Sequence, residues 1–203
     1  MPTDSVVPEH IGMNLDDAPL ILRLQAGDLD ALGALYDRHR LAVYRTALAI
    51  TRDPDVAEDI LQEVFLRLHA NAHKIRTDVP LMPWLYRVAV NLSYSWFTRH
   101  KWLAPLDDLI EQFIGPARLR PESAAEHRDA QRQIQQAIDA LPFNQRVVVI
   151  LHYLNDLSLH EIAEILECPM GTVKSRLYYA RESLRQKLEG SALTPEMIYE
   201  FTR

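Results

Sequence analysis

Lys174, Arg176, Arg181, Arg185 and Lys187 recur along one short stretch of this chain, with Glu182 the single acid among them. Five cations against one acid give a local balance of +4, in a chain whose formal net charge is −6. Such a density of ammonium and guanidinium groups suits phosphates, because each cation placed at a phosphate releases condensed counterions. Thr172 and Ser175 add hydroxyls beside the cations. The chemistry on offer is recognition of duplex DNA. The competing reading is a solvated basic face on an ordinary helical hairpin.

The elements that must position these groups are legible around them. Ser158 followed by Glu161 is a capping box, S-x-x-E. Leu159, Ile162, Ala163 and Leu166 then recur at helical spacing. Cys168-Pro169 ends that helix, since proline lacks an N–H and restricts the residue before it. Val173, Leu177, Ala180 and Leu184 mark the apolar face of a second helix. Leu157–Lys187 therefore reads as a helix-turn-helix. The N-terminal residues of a recognition helix reach base edges, and here those are Thr172, Lys174, Ser175 and Arg176.

Two earlier blocks carry complementary chemistry. Asp53 is a candidate N-cap and Pro54 suits the first helical position. Val56, Ala57, Ile60, Leu61, Val64, Phe65 and Leu68 form an apolar stripe, and Asp55, Glu58, Asp59, Gln62 and Glu63 fill much of the remainder. The helix dipole accounts for Asp55 and Glu58 but not for Asp59 and Glu63, which lie beyond the first turn. A solvated face and a protein-binding face both remain open for them. Residues 83–102 contain all three tryptophans, Trp84, Trp96 and Trp102, together with Tyr86, Tyr94, Phe97, Arg87, Arg99 and Lys101, and no acid. Aromatic faces beside positive charge suit single-stranded nucleic acid. Trp84, Leu85, Val88, Ala89 and Leu92 read as a core stripe, whereas Trp96, Phe97 and Trp102 read as contacts.

Composition bounds the rest. The chain has 203 residues, 48% hydrophobic and 25% charged, with six glycines and little strand-like alternation. Composition predicts an all-α fold of one or two small domains; with the helix-turn-helix, the linker and the resemblance given below, the expectation is two small helical domains, a helical bundle and a helix-turn-helix domain. The expected division is a disordered tail over 1–15, a domain over 16–103, a flexible linker over 104–127, a second domain over 128–190 and a tail over 191–203. Pro105, Gly115, Pro116 and Pro121 mark the linker. Gly27-Asp28 marks a break within the first domain. One cysteine, Cys168, fits a reducing compartment. Neither an export signal nor a membrane span is recognisable, so a cytoplasmic protein without membrane insertion is expected. His69 and His73 have metal-compatible spacing but lack further ligands, as do His160 and Cys168, so no metal or cofactor is expected. With no phosphate loop and no nucleophile–base pair, the chain does not read as an enzyme.

Together the segments 53–69, 83–97, 140–166 and 168–188 resemble an extracytoplasmic-function (ECF) RNA polymerase sigma factor, over about residues 16–188. The resemblance implies a protein that binds core RNA polymerase and directs promoter-specific initiation without performing chemistry itself. It implies that Asp59, Gln62, Glu63 and Phe65 contact core polymerase. It implies that Arg87, Asn91, Ser95, Trp96, Arg99 and Lys101 serve melting of the −10 element and grip of the single strand. Thr172, Lys174, Ser175, Arg176, Tyr178, Tyr179 and Arg181 would read the −35 element as duplex. An anti-sigma factor is a further partner that the resemblance implies. Departures are Tyr179, where many members have a basic residue, and Ser95, where some have asparagine. Glu167 stands where helix-turn-helix units often have glycine, and the expectation is a turn that avoids positive φ. The alternative is a stand-alone helix-turn-helix regulator, which would have no use for the tryptophan-rich block. A third reading is a protein-interaction module with an acidic partner.

Overall fold

The computed structural model describes residues 17–100 and 133–188. The expected tails and linker, and Lys101 and Trp102, lie outside the described residues. Among the described residues every regular element is a helix.

The first bundle is punctuated by its caps. Helix α1, Ala18–Gln25, ends at Gly27, whose φ of 91° suits a residue without Cβ. Asp28 then caps α2, Leu29–Thr51, by accepting from the Asp30 amide at 3.0 Å. Asp53 caps α3, Pro54–Ala70, accepting from the amides of Asp55 and Val56 at 3.0 and 3.1 Å. Each such cap is worth ~1 kcal/mol. A single 3-10 turn at Ala72–Lys74 leads on to α4, Met82–His100. The Gln25 amide holds that turn against α1 by donating to the carbonyls of Ala72 and Ile75. Ile21, Leu35, Val43, Val64, Leu68 and Leu85 are fully buried between these helices. Trp84 packs against the same core, as its place in the apolar stripe predicts. Among the polar groups buried there, Asp17 and His39 satisfy each other. Asp17 accepts from Arg38 at 2.7 Å and meets His39 Nε2 at 2.8 Å.

The second bundle comprises α5, described over 133–139, then α6, Phe143–Val149, a π-helical turn at Ile150–Leu154, α7, Leu159–Ile165, and α8, Met170–Leu188. The apolar run 147–154 is thus one helix that widens into π geometry after Val149. The capping box forms as the spacing predicts. Glu161 accepts from the Ser158 amide at 2.7 Å, and Ser158 Oγ accepts from the Glu161 amide at 3.3 Å. Val147, Leu151, Ile162, Val173 and Leu177 build its core.

The two bundles are in direct contact. Ile50, Tyr86 and Val90 of the first bundle belong to the same buried cluster as the core of the second. Arg52 Nε lies 2.6 Å from Asp139 Oδ1. Asn155 donates to Thr46 Oγ1 at 2.9 Å and to the Tyr86 hydroxyl at 2.8 Å. Arg146, 8% exposed, donates to the carbonyls of Ile50, Asp139 and Leu141. Burial pushes its guanidinium, and that of Arg52, below the usual arginine range, with Asp139 opposing the shift in both.

Among the described residues three non-glycine positions adopt left-handed backbone: Arg52 at φ 65°, Asp156 at 55° and Glu167 at 49°. The left-handed region costs an L-residue roughly 1–2 kcal/mol. Glu167 corrects the expectation of a turn free of positive φ. The chain reverses between α7 and α8 through the glycine-like conformation, with a glutamate in place.

Candidate nucleic-acid interface

The recognition-helix candidate is α8. Val173, Leu177, Ala180 and Leu184 are buried against the rest of the second bundle, so the opposite face looks outward. Lys174, Ser175, Tyr178, Tyr179 and Arg181 are exposed on it, while Thr172 and Arg176 are half-buried. Arg176 Nη1 sits 3.9 Å from Cys168 Sγ, which draws its stem toward the turn. Tyr178 and Tyr179 are 65% and 60% exposed and meet edge to face, ring centroids 5.4 Å apart. Two large aromatic rings left in solvent on a basic helix offer apolar contact beside the cations. Arg181 is aimed by Tyr153, donating to its hydroxyl at 2.7 Å. Hydrogen bonds from Arg185 and Gln186 hold the Glu182 carboxyl below the usual carboxylate range. Arg185 is thereby paired, and Lys174, Arg176, Arg181 and Lys187 carry the remaining positive charge of α8.

Helix α4 carries a second array. Arg87, Asn91, Ser95 and Arg99 follow one another at intervals of four, which sets them along one face. Asn91, Ser95 and Arg99 are exposed and Trp96 is half-buried. Ser95 Oγ donates to the Asn91 carbonyl at 2.9 Å, and Arg99 Nε to the Ser95 carbonyl at 3.1 Å. Arg87, at the other end of the row, is engaged with the helix-turn-helix. It donates to the carbonyls of Glu164 at 2.6 Å and Ile165 at 3.2 Å, and to Glu167 Oε1 at 2.7 Å. Phe97, expected as a strand contact, instead packs on Phe143, centroids 5.4 Å apart, beneath the Arg146 guanidinium. The Tyr94 ring meets Phe143 as well, at 5.2 Å.

Helix α3 presents Asp59 and Gln62 to solvent, with Glu63 half-buried and paired to Arg67 at 2.7 Å. Phe65 requires correction as a polymerase contact. It is 5% exposed, set edge-on to Tyr36 at 4.9 Å, because it shares the inward face with Leu61 and Leu68. The outward row is Asp59, Gln62, Glu63 and Leu66, and Leu66 is 63% exposed. Sequence reasoning passed over Leu66, although an apolar residue in phase with the polar face was a visible signal. Among the described residues no group of three or more His, Cys, Asp or Glu side chains could hold a metal ion.

A helix-turn-helix with an exposed basic helix, attached to a bundle bearing an acidic helix and an acid-free aromatic helix, defines a DNA-binding transcription protein. Residues 35–103 match the family described as Sigma-70 region 2, and residues 131–184 that described as Sigma-70, region 4. The ECF RNA polymerase sigma factor SigW of Bacillus subtilis (strain 168) is 34% identical over 83% of this chain and 94% of its own. The ECF RNA polymerase sigma-E factor of Escherichia coli (strain K12) is 31% identical over 86% of this chain and 95% of its own. Among solved structures, CnrH in complex with the cytosolic domain of CnrY aligns with a TM-score of 0.65 at 20% identity, covering 87% of this chain and 99% of that one. The sigma factor RpoE in complex with the anti-sigma factor NepR from Bartonella quintana aligns at 0.63 and 22% identity, covering 78% and 97%. These two establish the shared two-domain helical fold. The chain belongs to the ECF RNA polymerase sigma factors. It is an alternative sigma factor that directs promoter-specific transcription initiation, and the region 2 match outside the helix-turn-helix disfavours a stand-alone regulator.

Proposed function

We propose the following division of labour among the three exposed faces. Asp59, Gln62 and Glu63 on α3, with Leu66 beside them, form the surface for core RNA polymerase. Asn91, Ser95, Trp96 and Arg99 on α4, together with Arg87 and Lys101, hold the single strand at the −10 element. Thr172, Lys174, Ser175, Arg176, Tyr178, Tyr179 and Arg181 read duplex DNA at −35. Residues 16–103 and 128–190 act as the two domains, with 104–127 between them. The chain works in the cytoplasm and performs no chemistry, which falls to the polymerase. An anti-sigma factor is its inhibitory partner. Both structural neighbours are held by a second polypeptide in their solved structures, which supports that reading.

The observation that carries the division is the separation of the faces onto α3, α4 and α8, each exposed on a helix whose other side is buried. Reconstituted transcription tests it. Core polymerase with this protein should start at defined promoters in a genomic library. Binding to duplex DNA without any polymerase-dependent initiation would favour the stand-alone regulator instead.

A further inference from the structure

Arg181 stands apart from the other arginines of α8. Arg185 is held by the Glu182 carboxylate at 2.7 Å, and half-buried Arg176 is drawn to Cys168. Arg181 is exposed, and the partner of its Nε is neutral, the Tyr153 hydroxyl at 2.7 Å. Its Cζ lies over the Tyr153 ring, 5.6 Å from the centroid. Tyr153 is itself fixed. It packs, half-buried, against the core of the second bundle. The His152 ring meets it edge to face at 4.8 Å, and His152 Nδ1 donates to the Leu157 carbonyl at 2.8 Å. Both residues belong to the π-helical turn, which the Asn155 amide closes by donating to the Ile150 carbonyl at 3.3 Å. Turns of this kind at helices are frequent at functional sites.

We propose that Tyr153 is a positioning residue that presents the Arg181 guanidinium to a backbone phosphate of the −35 duplex. This rests on the assignment of Arg181 to the −35 face. Lys174, Tyr178 and Arg181 follow at intervals of four and three, which sets them on one face of α8. At a rise of about 1.5 Å per residue, Arg181 lies about 10 Å beyond Lys174 along the axis. A helix that reads base edges with its N-terminal residues carries such a side chain toward the wall of a groove about 12 Å wide, where the phosphates run. The Tyr153 hydroxyl takes only the Nε–H. The donors on Nη1 and Nη2 are left over, and a guanidinium fork matches two phosphate oxygens. A phenol also aims the cation without cancelling it. A carboxylate partner, such as Glu182 is to Arg185, competes with a phosphate for the same charge. An arginine held in advance loses less rotamer freedom on binding, and the saving appears as affinity.

The test uses holoenzyme assembled from core polymerase and the full chain, with a duplex carrying the −35 element of a promoter recovered by reconstituted transcription. Fluorescence anisotropy over a salt series would compare wild type, Arg181→Ala, Tyr153→Phe and the double variant. Phenylalanine keeps the ring and removes only the hydroxyl, and urea denaturation would check that stability is kept. Arg181→Ala should weaken binding equally on every single-base variant of the element and reduce the salt slope by about 0.9. Tyr153→Phe should weaken binding about three- to tenfold, the range of one neutral hydrogen bond. In the Arg181→Ala background the same change should cost nothing further, because the two residues act as a unit. An equal loss in both backgrounds makes Tyr153 merely structural and overturns the positioning role, as does unchanged binding by Tyr153→Phe. A loss confined to one base position in Arg181→Ala makes Arg181 a base reader and overturns the phosphate contact. Unchanged binding by Arg181→Ala overturns the placing of Arg181 on the −35 face, and the proposal with it.

Discussion

Arg146 of α6 donates to the backbone carbonyl of Ile50 at 3.2 Å, so a side chain of one domain completes the last turn of a helix in the other. The same guanidinium serves the carbonyls of Asp139 and Leu141, which ties the turn between α5 and α6 to that helix end. Among the described residues no carboxylate lies within ion-pair distance of it, and carbonyl oxygens compensate the buried charge. Arg146→Ala would leave those buried oxygens unpaired and should cost about 2–3 kcal/mol in urea denaturation. Arg146→Lys should recover little, because a compact ammonium does not reproduce the planar fork. An Arg146→Ala protein within 0.5 kcal/mol of wild type, a difference about the size expected of neutral surface changes, would remove Arg146 from this role.

His39 should make stability depend on acid. Burial pushes its imidazole below the ordinary value of 6.5, against the opposing pull of Asp17. The unfolded chain therefore takes up the proton first as pH falls. The contribution of neutral His39 is complete above about pH 6.5, and it declines below that value until the folded pKa is passed, by at most about 1.4 kcal/mol per pH unit. Urea midpoints measured between pH 7.5 and 5.5 should fall for wild type, and the fall should be smaller in His39→Gln. Equal pH dependence in the two proteins would assign it to other groups.

Asp59→Ala with Glu63→Ala should weaken association with core polymerase. Asp59 is exposed and Glu63 already has Arg67 as a neighbour, so most of the loss should come from Asp59. Because such charges steer encounter more than they add affinity, the deficit should appear in the association rate and shrink at high salt. DNA binding through α8 should be unchanged. Core association kinetics identical to wild type at low salt would mean that the acidic face is merely solvated.

Arg176→Ala should lower affinity for −35 duplex by ~1–3 kcal/mol if the guanidinium makes a bidentate base contact. Loss restricted to one base position identifies a reader, whereas a uniform loss with a shallower salt slope identifies a phosphate contact. Fluorescence anisotropy across single-base variants separates the two. Unchanged affinity on all of them would exclude Arg176 from the DNA-reading set.

Local punctuation in this chain was readable because its causes are local. Asp53, Ser158 with Glu161, Gly27 and Cys168-Pro169 each act within a turn of helix, and each stands where spacing predicts. The stripe of α3 was readable too, but its edge was not. Phe65 and Leu66 are both apolar neighbours in sequence, and only the phase relative to Leu61 and Leu68 decides that the ring goes in and Leu66 out. The domain contact was not legible at all. Arg87 and Glu167 are 80 residues apart, and nothing in either neighbourhood distinguishes a paired arginine from one waiting for a phosphate. Phe97 failed for the same reason, since an aromatic beside cations suits a base and suits Phe143 equally well. Glu167 shows the limit from the other side. Its type argued against left-handed backbone, and a tertiary ion pair accompanies the exception.

Glutamate and glycine codons differ only at the second base, so a single transition converts Glu167 to glycine. That one change would relax the turn and delete the bridging carboxylate together. The ion pair that joins α4 to the turn before α8 is thus one point mutation from being lost.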